Sequence, residues 1–462
     1  MSIYRINSIL NVDSYKTSHF QQYPSGTEYV SSYIESRGGL FDETVFFGLQ
    51  AFLKQYLMTP VIQADIEEAS DILSAHGVPF NRSGWQSILD THNGFLPIAI
   101  QAVPEGSVVP VQNVLLQVMN TDPALPWVTS YVETALLRAI WYLTTVATQS
   151  REAKKVIARF LAETADSIEG LPFKLHDFGA RGVSSEESAA LGGMAHLVNF
   201  MGTDTLSGLM AARRFYGEPM AGYSIPAAEH STMTAWGSEG EVDAYANMLK
   251  QFGGTGKLVA VVSDSYDLWN AIDNIWGGAL KDQVMQSGGT LVIRPDSGDP
   301  VAVITEAIER LMVRFGCRTN QKGYRVLPDF IRVIQGDGIS LITIEQILSA
   351  MKKRGLSADN IAFGMGGELL QKVNRDTMQF AMKASAVSID GQWREVYKDP
   401  VTDSGKRSKR GRLALVKTQM GGYETVLESE VEGRENQLKT VFRNGKLLSE
   451  TTFAEVRARA AM

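Results

Sequence analysis

The chain has 462 residues, 44% of them apolar, a formal net charge of −7 and one cysteine. That length suits two or three domains with ample core, and the acidic balance leaves no overall positive field to draw the chain onto nucleic acid or acidic lipid. Any anion site must be built locally. The lone Cys317, read as a small half-buried side chain, excludes an internal disulfide framework and every multi-cysteine metal site. The first residues lack a basic stretch followed by an apolar one, and no run of about twenty apolar residues occurs, so a cytoplasmic protein is expected.

In chain order, the turn-like VPEG at Val103 precedes a strand read from Asn113 to Met119. From Trp127 to Ala165 apolar residues recur at three and four spacing, which predicts helix. Between Leu171 and Gly367 seven short apolar runs each break into a turn of small residues: LPFKLHDFG, HLVNFMGTDT, GYSIPAAEH, LVAVVSDSYD, TLVIRPDSGD, FIRVIQGDG and NIAFGMGG. Most of these turns lead toward a helix-like stretch, and near-continuous Val/Ile/Leu runs are the mark of strands buried on both faces. After Ala384 the period returns toward two, and Asn444-Gly445 is a strong hairpin signal. The expected fold is α/β: an irregular seven-stranded (β/α) barrel over residues 170–383, flanked by a β-rich α+β domain built from residues 1–169 and 384–462. The basic stretch Lys406–Arg412, preceded by Lys398, reads by itself as a solvated loop, a nucleic-acid signal or a phosphate site.

In (β/α) barrels the chemistry sits at the C-terminal strand ends. Here those exits carry His176, Asp177, Arg181, Asp204, Glu229, His230, Asp264, Asp267, Arg294, Asp296, Asp337 and a glycine cluster. At any single exit, Gly, Asp and Ser equally well make turns and cap helices. Gly253, Gly254, Gly256 and Lys257 lack Walker spacing, and GMGGEL lacks the third glycine of a dinucleotide fingerprint. What remains is a rim of arginines, carboxylates, a histidine and backbone amides, which suits a phosphorylated sugar and a metal.

In the same order along the chain, NVDSYKTSHFQQYPSGT, LHDFGARGVSS, GTDT, GYSIPAAEHST, VVSDSYD, IRPDSG, VIQGDG, AFGMGG and KDPVTDSGKRSKRGR resemble the nicotinamide phosphoribosyltransferases, a likeness running nearly end to end. The resemblance implies synthesis of nicotinamide mononucleotide and pyrophosphate from nicotinamide and phosphoribosyl pyrophosphate, with Mg2+, coupled to ATP hydrolysis, in a homodimer with sites at the interface. It implies no nucleic-acid or membrane partner. Phe178 would form one face of the nicotinamide slot and Tyr15 of the other subunit the second face, an aromatic sandwich for a flat ring. Asp204 would accept from the carboxamide nitrogen and Arg294 donate to its oxygen. A carboxylate about 4 Å from a nicotinate carboxylate costs on the order of 4 kcal/mol at an effective dielectric near 20, roughly a thousandfold.

By the same resemblance, Asp296, Gly336 and Asp337 would hold the ribose hydroxyls, while Gly366, Gly367 and the other subunit's Arg375 and Lys383 take the 5′-phosphate. Arg37, Arg181, Lys398 and Lys406 fit the pyrophosphate end, and Ser263 counts among the substrate contacts. Asp267 and Asp296 are the expected metal contacts. His230 is the histidine expected to be transiently phosphorylated by ATP, with Glu229 or Asp267 fixing its tautomer. Three departures stand out: Ala381 where a phosphate-binding serine is expected, Phe173 where tyrosine is common, and Glu368 beside the glycines.

A nicotinate or quinolinate phosphoribosyltransferase would present a neutral or cationic group at Asp204. A barrel glycosidase would need two facing carboxylates without a phosphate cradle. A non-catalytic relative would be expected to lose His230, Asp204 or Arg294, and all three are present.

Overall fold

A computed structural model describes residues 7–402 and 407–461. The chain divides into two compact units, Gln149–Ala211 with Pro219–Val373, and Met1–Thr148 with Ala212–Glu218 and Asn374–Met462. These boundaries differ from the expected 169/170 and 383/384. The later one moves because Phe380–Ile389 pairs antiparallel along Thr27–Ser36, so Ala381 and Lys383 belong to the flanking sheet. The earlier one falls inside the helix Glu133–Thr164.

The first unit holds a curled sheet of six parallel strands in the order Gly202–Thr203, Leu175–Asp177, Ile361–Met365, Ile331–Gln335, Thr290–Arg294 and Leu258–Val262. Each comes from one of the apolar runs. The remaining run, GYSIPAAEH, is not the strand expected of it. It makes only single parallel bridges, Tyr223 with Gly202 at one sheet edge and Ala227 with Ala260 at the other. Pro226, lacking an N–H, stands between those bridges and cannot donate to a ladder. Its carbonyl still accepts the Ala260 amide at 2.9 Å.

Helices follow the strands because the exits end in caps. Ser185 accepts from the Ser188 amide, Asp299 from Ala302 with Pro300 in the first turn, and Ser340 from Thr343. The helices Glu186–His196, Pro300–Phe315 and Leu341–Lys353 follow. Between Leu258–Val262 and Thr290–Arg294 the chain instead forms a π-helix, Ala271–Ala279. Ala260, Val292 and Ile334, from three neighbouring strands, pack together with Phe178, Ile225 and Ala362. Cys317 is exposed, not half-buried.

The other unit is built on an antiparallel sheet drawn from both ends of the chain, in the order Gln392–Glu395, Phe380–Ile389, Thr27–Ser36, Val114–Asn120, Ile98–Ala102, Lys439–Arg443 and Lys446–Leu447. The strand expected from Asn113 is thus present, as is the hairpin at Asn444-Gly445, where both residues have positive φ (48° and 79°). Trp85, Trp127 and Tyr131 stack edge to face at 5.0–5.5 Å in its core.

Candidate active site

The exits of the parallel sheet meet around Phe178. The Phe178 amide donates to the Met365 carbonyl, and its ring lies so flat on Gly364 that a Cβ there would stand 2.0 Å from Cε2. A Cβ on Gly336 would lie 3.5 Å from the same ring and 3.4 Å from Asp296 Oδ1. Gly364 within one strand and Gly336 just past the end of its neighbour therefore make room for one aromatic face beside one carboxylate.

Arg294 closes this carboxylate into a bidentate pair, Nε to Asp296 Oδ1 at 3.1 Å and a terminal nitrogen to Oδ2 at 2.6 Å, both side chains about one-sixth exposed. Burial works against the guanidinium charge, yet the bond and charge of Asp296, with the charges of Asp264 and Asp204, raise its pKa. Asp204 is exposed and accepts the Ser224 hydroxyl, while its amide donates to the Asp177 carbonyl at 2.9 Å. His230 opens a short helix and is nearly half exposed; its Nε2 meets the buried Asp264 Oδ1 at 2.8 Å. The partner expected for His230 was Glu229 or Asp267, and it is Asp264 instead. Asp267 is turned to its own helix, where Oδ1 accepts from the Trp269 and Asn270 amides.

Behind the rim, Asp177 is fully buried, with Oδ1 accepting the Gly179 amide at 2.7 Å. Burial pushes its carboxyl up to about 6, the Gly179 bond opposing this and the Asp204 charge adding to it. Burial lowers the pKa of the adjacent His176, against the pull of Asp204. Its ring rests on Gly202, where a Cβ would come within 2.6 Å.

Ser263 is not placed as a substrate contact. It is fully buried, its hydroxyl donates to the Val261 carbonyl and accepts the Trp276 indole N–H at 3.1 Å, and its amide binds the Arg294 carbonyl. Gly366 and Gly367 start a single helical turn, and Gly367 lies against Gly182, next to the exposed Arg181. Glu368, the charged departure, is paired with Lys372 one turn on. Asp337 is exposed in the loop after Ile331–Gln335, with its carbonyl held by the buried Gln335. Phe173 is exposed and tilted against Tyr223, ring centres 6.3 Å apart.

In the other unit, Lys383 is the centre of a cationic group. Burial lowers its pKa, as do Arg37, Lys16 and Lys398, while Glu133 raises it. Lys16, which sequence reasoning did not single out although it adjoins Tyr15, is buried against Glu133 at 2.6 Å. The buried Nε of Arg37 makes no hydrogen bond among the described residues. Tyr15 is exposed, its ring edge-on to His19 at 5.3 Å. Arg375 is exposed and paired with Asp376. Lys398 is exposed, its amide held by Ser408. Lys406 lies outside the described residues. Ala381 is buried opposite Glu35 in the sheet. Among the described residues, no group of three or more His, Cys, Asp or Glu side chains could hold a metal.

Residues 173–446 match the nicotinate phosphoribosyltransferase (NAPRTase) family, and residues 7–100 the nicotinamide phosphoribosyltransferase N-terminal domain. A protein named nicotinamide phosphoribosyltransferase from Xanthomonas campestris pv. campestris is 56% identical, over 99% of this chain and 98% of that one. One of the same name from Acinetobacter baylyi is 33% identical over 99% and 98%. Among solved structures, nicotinate-nucleotide pyrophosphorylase from Pyrococcus furiosus aligns with a TM-score of 0.62 over 100% of this chain and 97% of that one, at 16% identity. Human nicotinic acid phosphoribosyltransferase aligns with a TM-score of 0.56 over 97% and 92%, also at 16% identity. These structures share the fold. The curled parallel sheet and its rim of Arg, Asp and Gly are those of a phosphoribosyl-transferring enzyme. More narrowly, the chain belongs to the NAPRTase family, among the nicotinamide phosphoribosyltransferases.

Proposed function

We propose that this chain is a nicotinamide phosphoribosyltransferase of NAD biosynthesis. The pyridine nitrogen of nicotinamide forms a bond to the anomeric carbon of phosphoribosyl pyrophosphate, and the bond from that carbon to the pyrophosphate oxygen breaks, its electron pair leaving on pyrophosphate. Nicotinamide mononucleotide results. The observation that carries this reading is Asp204: an exposed carboxylate, held by Ser224, directly after the strand paired with the one that leads into Phe178. It accepts from a carboxamide and repels a carboxylate, which favours nicotinamide over the nicotinate alternative. Arg294 supplies the complementary donor, and Asp296 beside it stabilises positive charge developing on the ribose.

The residues fit Mg2+ carried on the substrate. Mg2+ keeps several waters and uses one or two carboxylates plus phosphate oxygens, and Asp296 and Asp267 are carboxylates at the rim. When bound, the ion neutralises the departing pyrophosphate. The chain's own cations do the same work, Arg181 beside the Gly366-Gly367 turn and Arg37 and Lys398 in the other unit, while Lys383 serves the 5′-phosphate. ATP acts through His230, whose Nε2 is held by Asp264. The seven runs form one irregular barrel, closed by the Tyr223 and Ala227 bridges. The enzyme is a cytoplasmic homodimer in which Tyr15, Arg375 and Lys383 of one subunit complete the site of the other.

The test is phosphoribosyl pyrophosphate with Mg2+ and either nicotinamide or nicotinate, with and without ATP, followed by product mass. Nicotinamide mononucleotide, formed faster with ATP, is expected. A preference for nicotinate would replace this reading by its alternative, and no nucleotide from either base would overturn both.

A further inference from the structure

Asp177 touches neither base nor phosphate on any reading above, yet two walls of the base slot depend on it. Its Oδ1 accepts the Gly179 amide and so fixes the turn on which Phe178 sits; its carbonyl accepts the Asp204 amide. Strand pairing sets it opposite Met365 on one side and Thr203 on the other. Its Oδ2 is buried, and the Thr205 and Thr203 hydroxyls act on the carboxyl as hydrogen-bond partners in the same buried pocket. A Cβ on Gly193 would come within 3.2 Å of that oxygen, so the pocket is too tight to solvate a charge.

We propose that Asp177 is a positioning and specificity residue for base recognition: it aligns Phe178 with Asp204, and its carboxyl charge adds to the field by which Asp204 rejects an anionic pyridine. This rests on the nicotinamide reading above. The charged group facing Asp177 is Asp204, and Asp204 in turn faces His176 and Arg294. With the Asp177 carboxyl buried and raised to about 6, it is neutral in mild acid and charged above neutrality. Discrimination against nicotinate therefore rises with pH across that range.

The experiment compares wild type, Asp177→Asn and Asp177→Ala, measuring kcat/KM for nicotinamide and for nicotinate from pH 5.5 to 8, with thermal unfolding as a fold check. Asp177→Asn keeps an oxygen for the Gly179 amide but cannot ionise, so it stays folded and active while the pH dependence of the ratio flattens. Asp177→Ala loses the alignment as well, and its KM for nicotinamide rises about tenfold with kcat changed far less. A wild-type pH profile of the ratio in Asp177→Asn overturns the proposal, whatever happens to the alanine variant. So does a folded Asp177→Ala with unchanged KM. If wild type itself makes no nicotinamide mononucleotide, the functional reading falls first and this inference with it, an outcome distinct from an active enzyme whose ratio ignores Asp177.

Discussion

Asp204 and Asp267 are both aspartates at strand exits, and their surroundings give them different work. Asp267 caps a helix with Oδ1, while Asp204 leaves its carboxylate exposed, held by Ser224. Asp204→Asn should therefore keep the fold and narrow the preference for nicotinamide by a factor of about a hundred or more, read as the ratio of kcat/KM for the two bases. An unchanged ratio would remove Asp204 as selector. His230→Ala should abolish ATP hydrolysis while some ATP-independent synthesis survives, because base and sugar are held elsewhere; undiminished ATP turnover would end the phosphohistidine role. Asp177 makes a separate thermodynamic prediction. Its native pKa lies above the ordinary 3.8, at about 6, so the folded chain keeps a proton that the unfolded chain has released. Stability from this group is complete below about pH 4 and falls by roughly 3 kcal/mol as pH rises past 6. Asp177→Asn lacks that loss, so urea unfolding should show the variant gaining on wild type between pH 4.5 and pH 7.5; a constant difference would contradict the raised pKa. Sequence motifs located these side chains but not their pairings. SDSYD offers Asp264 and Asp267 three residues apart, and only the turn decides that Asp264 meets His230 while Asp267 caps.

At the level of elements, apolar runs with small-residue exits were legible wherever the chain could donate every ladder hydrogen bond. LVAVV, TLVIR and IRVIQ became strands, whereas Pro226 reduced GYSIPAAEH to two bridges. The long strand Thr27–Ser36 was not read, because TEYVSSYIES has small polar residues that are buried by sheet contacts and not by their own hydrophobicity. Glycine in a strand was the least legible signal of all: Gly364 sits within Ile361–Met365 because Phe178 lies on it. Gly364→Ala would place a Cβ 2.0 Å from the ring, which also packs against Ala260, Val292 and Ile334, so the ring must leave its seat. The KM for nicotinamide should rise at least about tenfold and stability fall by about 1–3 kcal/mol. Adding Phe178→Ala should then restore stability to that of Phe178→Ala alone, since the two changes share one contact. Strictly additive losses would mean that the ring does not rest on Gly364.

At the scale of the whole molecule, the assigned residues fall into two sets: Phe178, Asp204, Arg294 and His230 in one compact unit, Tyr15, Arg37, Arg375, Lys383 and Lys398 in the other. In the second set Lys383 feels the charges of Arg37, Lys16 and Lys398 against that of Glu133, cations that an anionic substrate would balance. If each site of a two-fold dimer draws the first set from one subunit and Tyr15, Arg375 and Lys383 from the other, defects in the two sets must complement. Arg294→Ala and Arg375→Ala are each expected to be folded, dimeric and nearly inactive. Mixed, dissociated and reassociated, they form hybrids in which one site carries both substitutions and the other carries neither. Random exchange makes half of the dimers hybrid, so activity should recover to roughly a quarter of wild type. A pair drawn from the same set, Arg294→Ala with Asp204→Ala, leaves every hybrid site damaged and should recover nothing, which separates complementation from simple restabilisation on mixing. Verified hybrids of the first pair without recovery would place each complete site within a single chain.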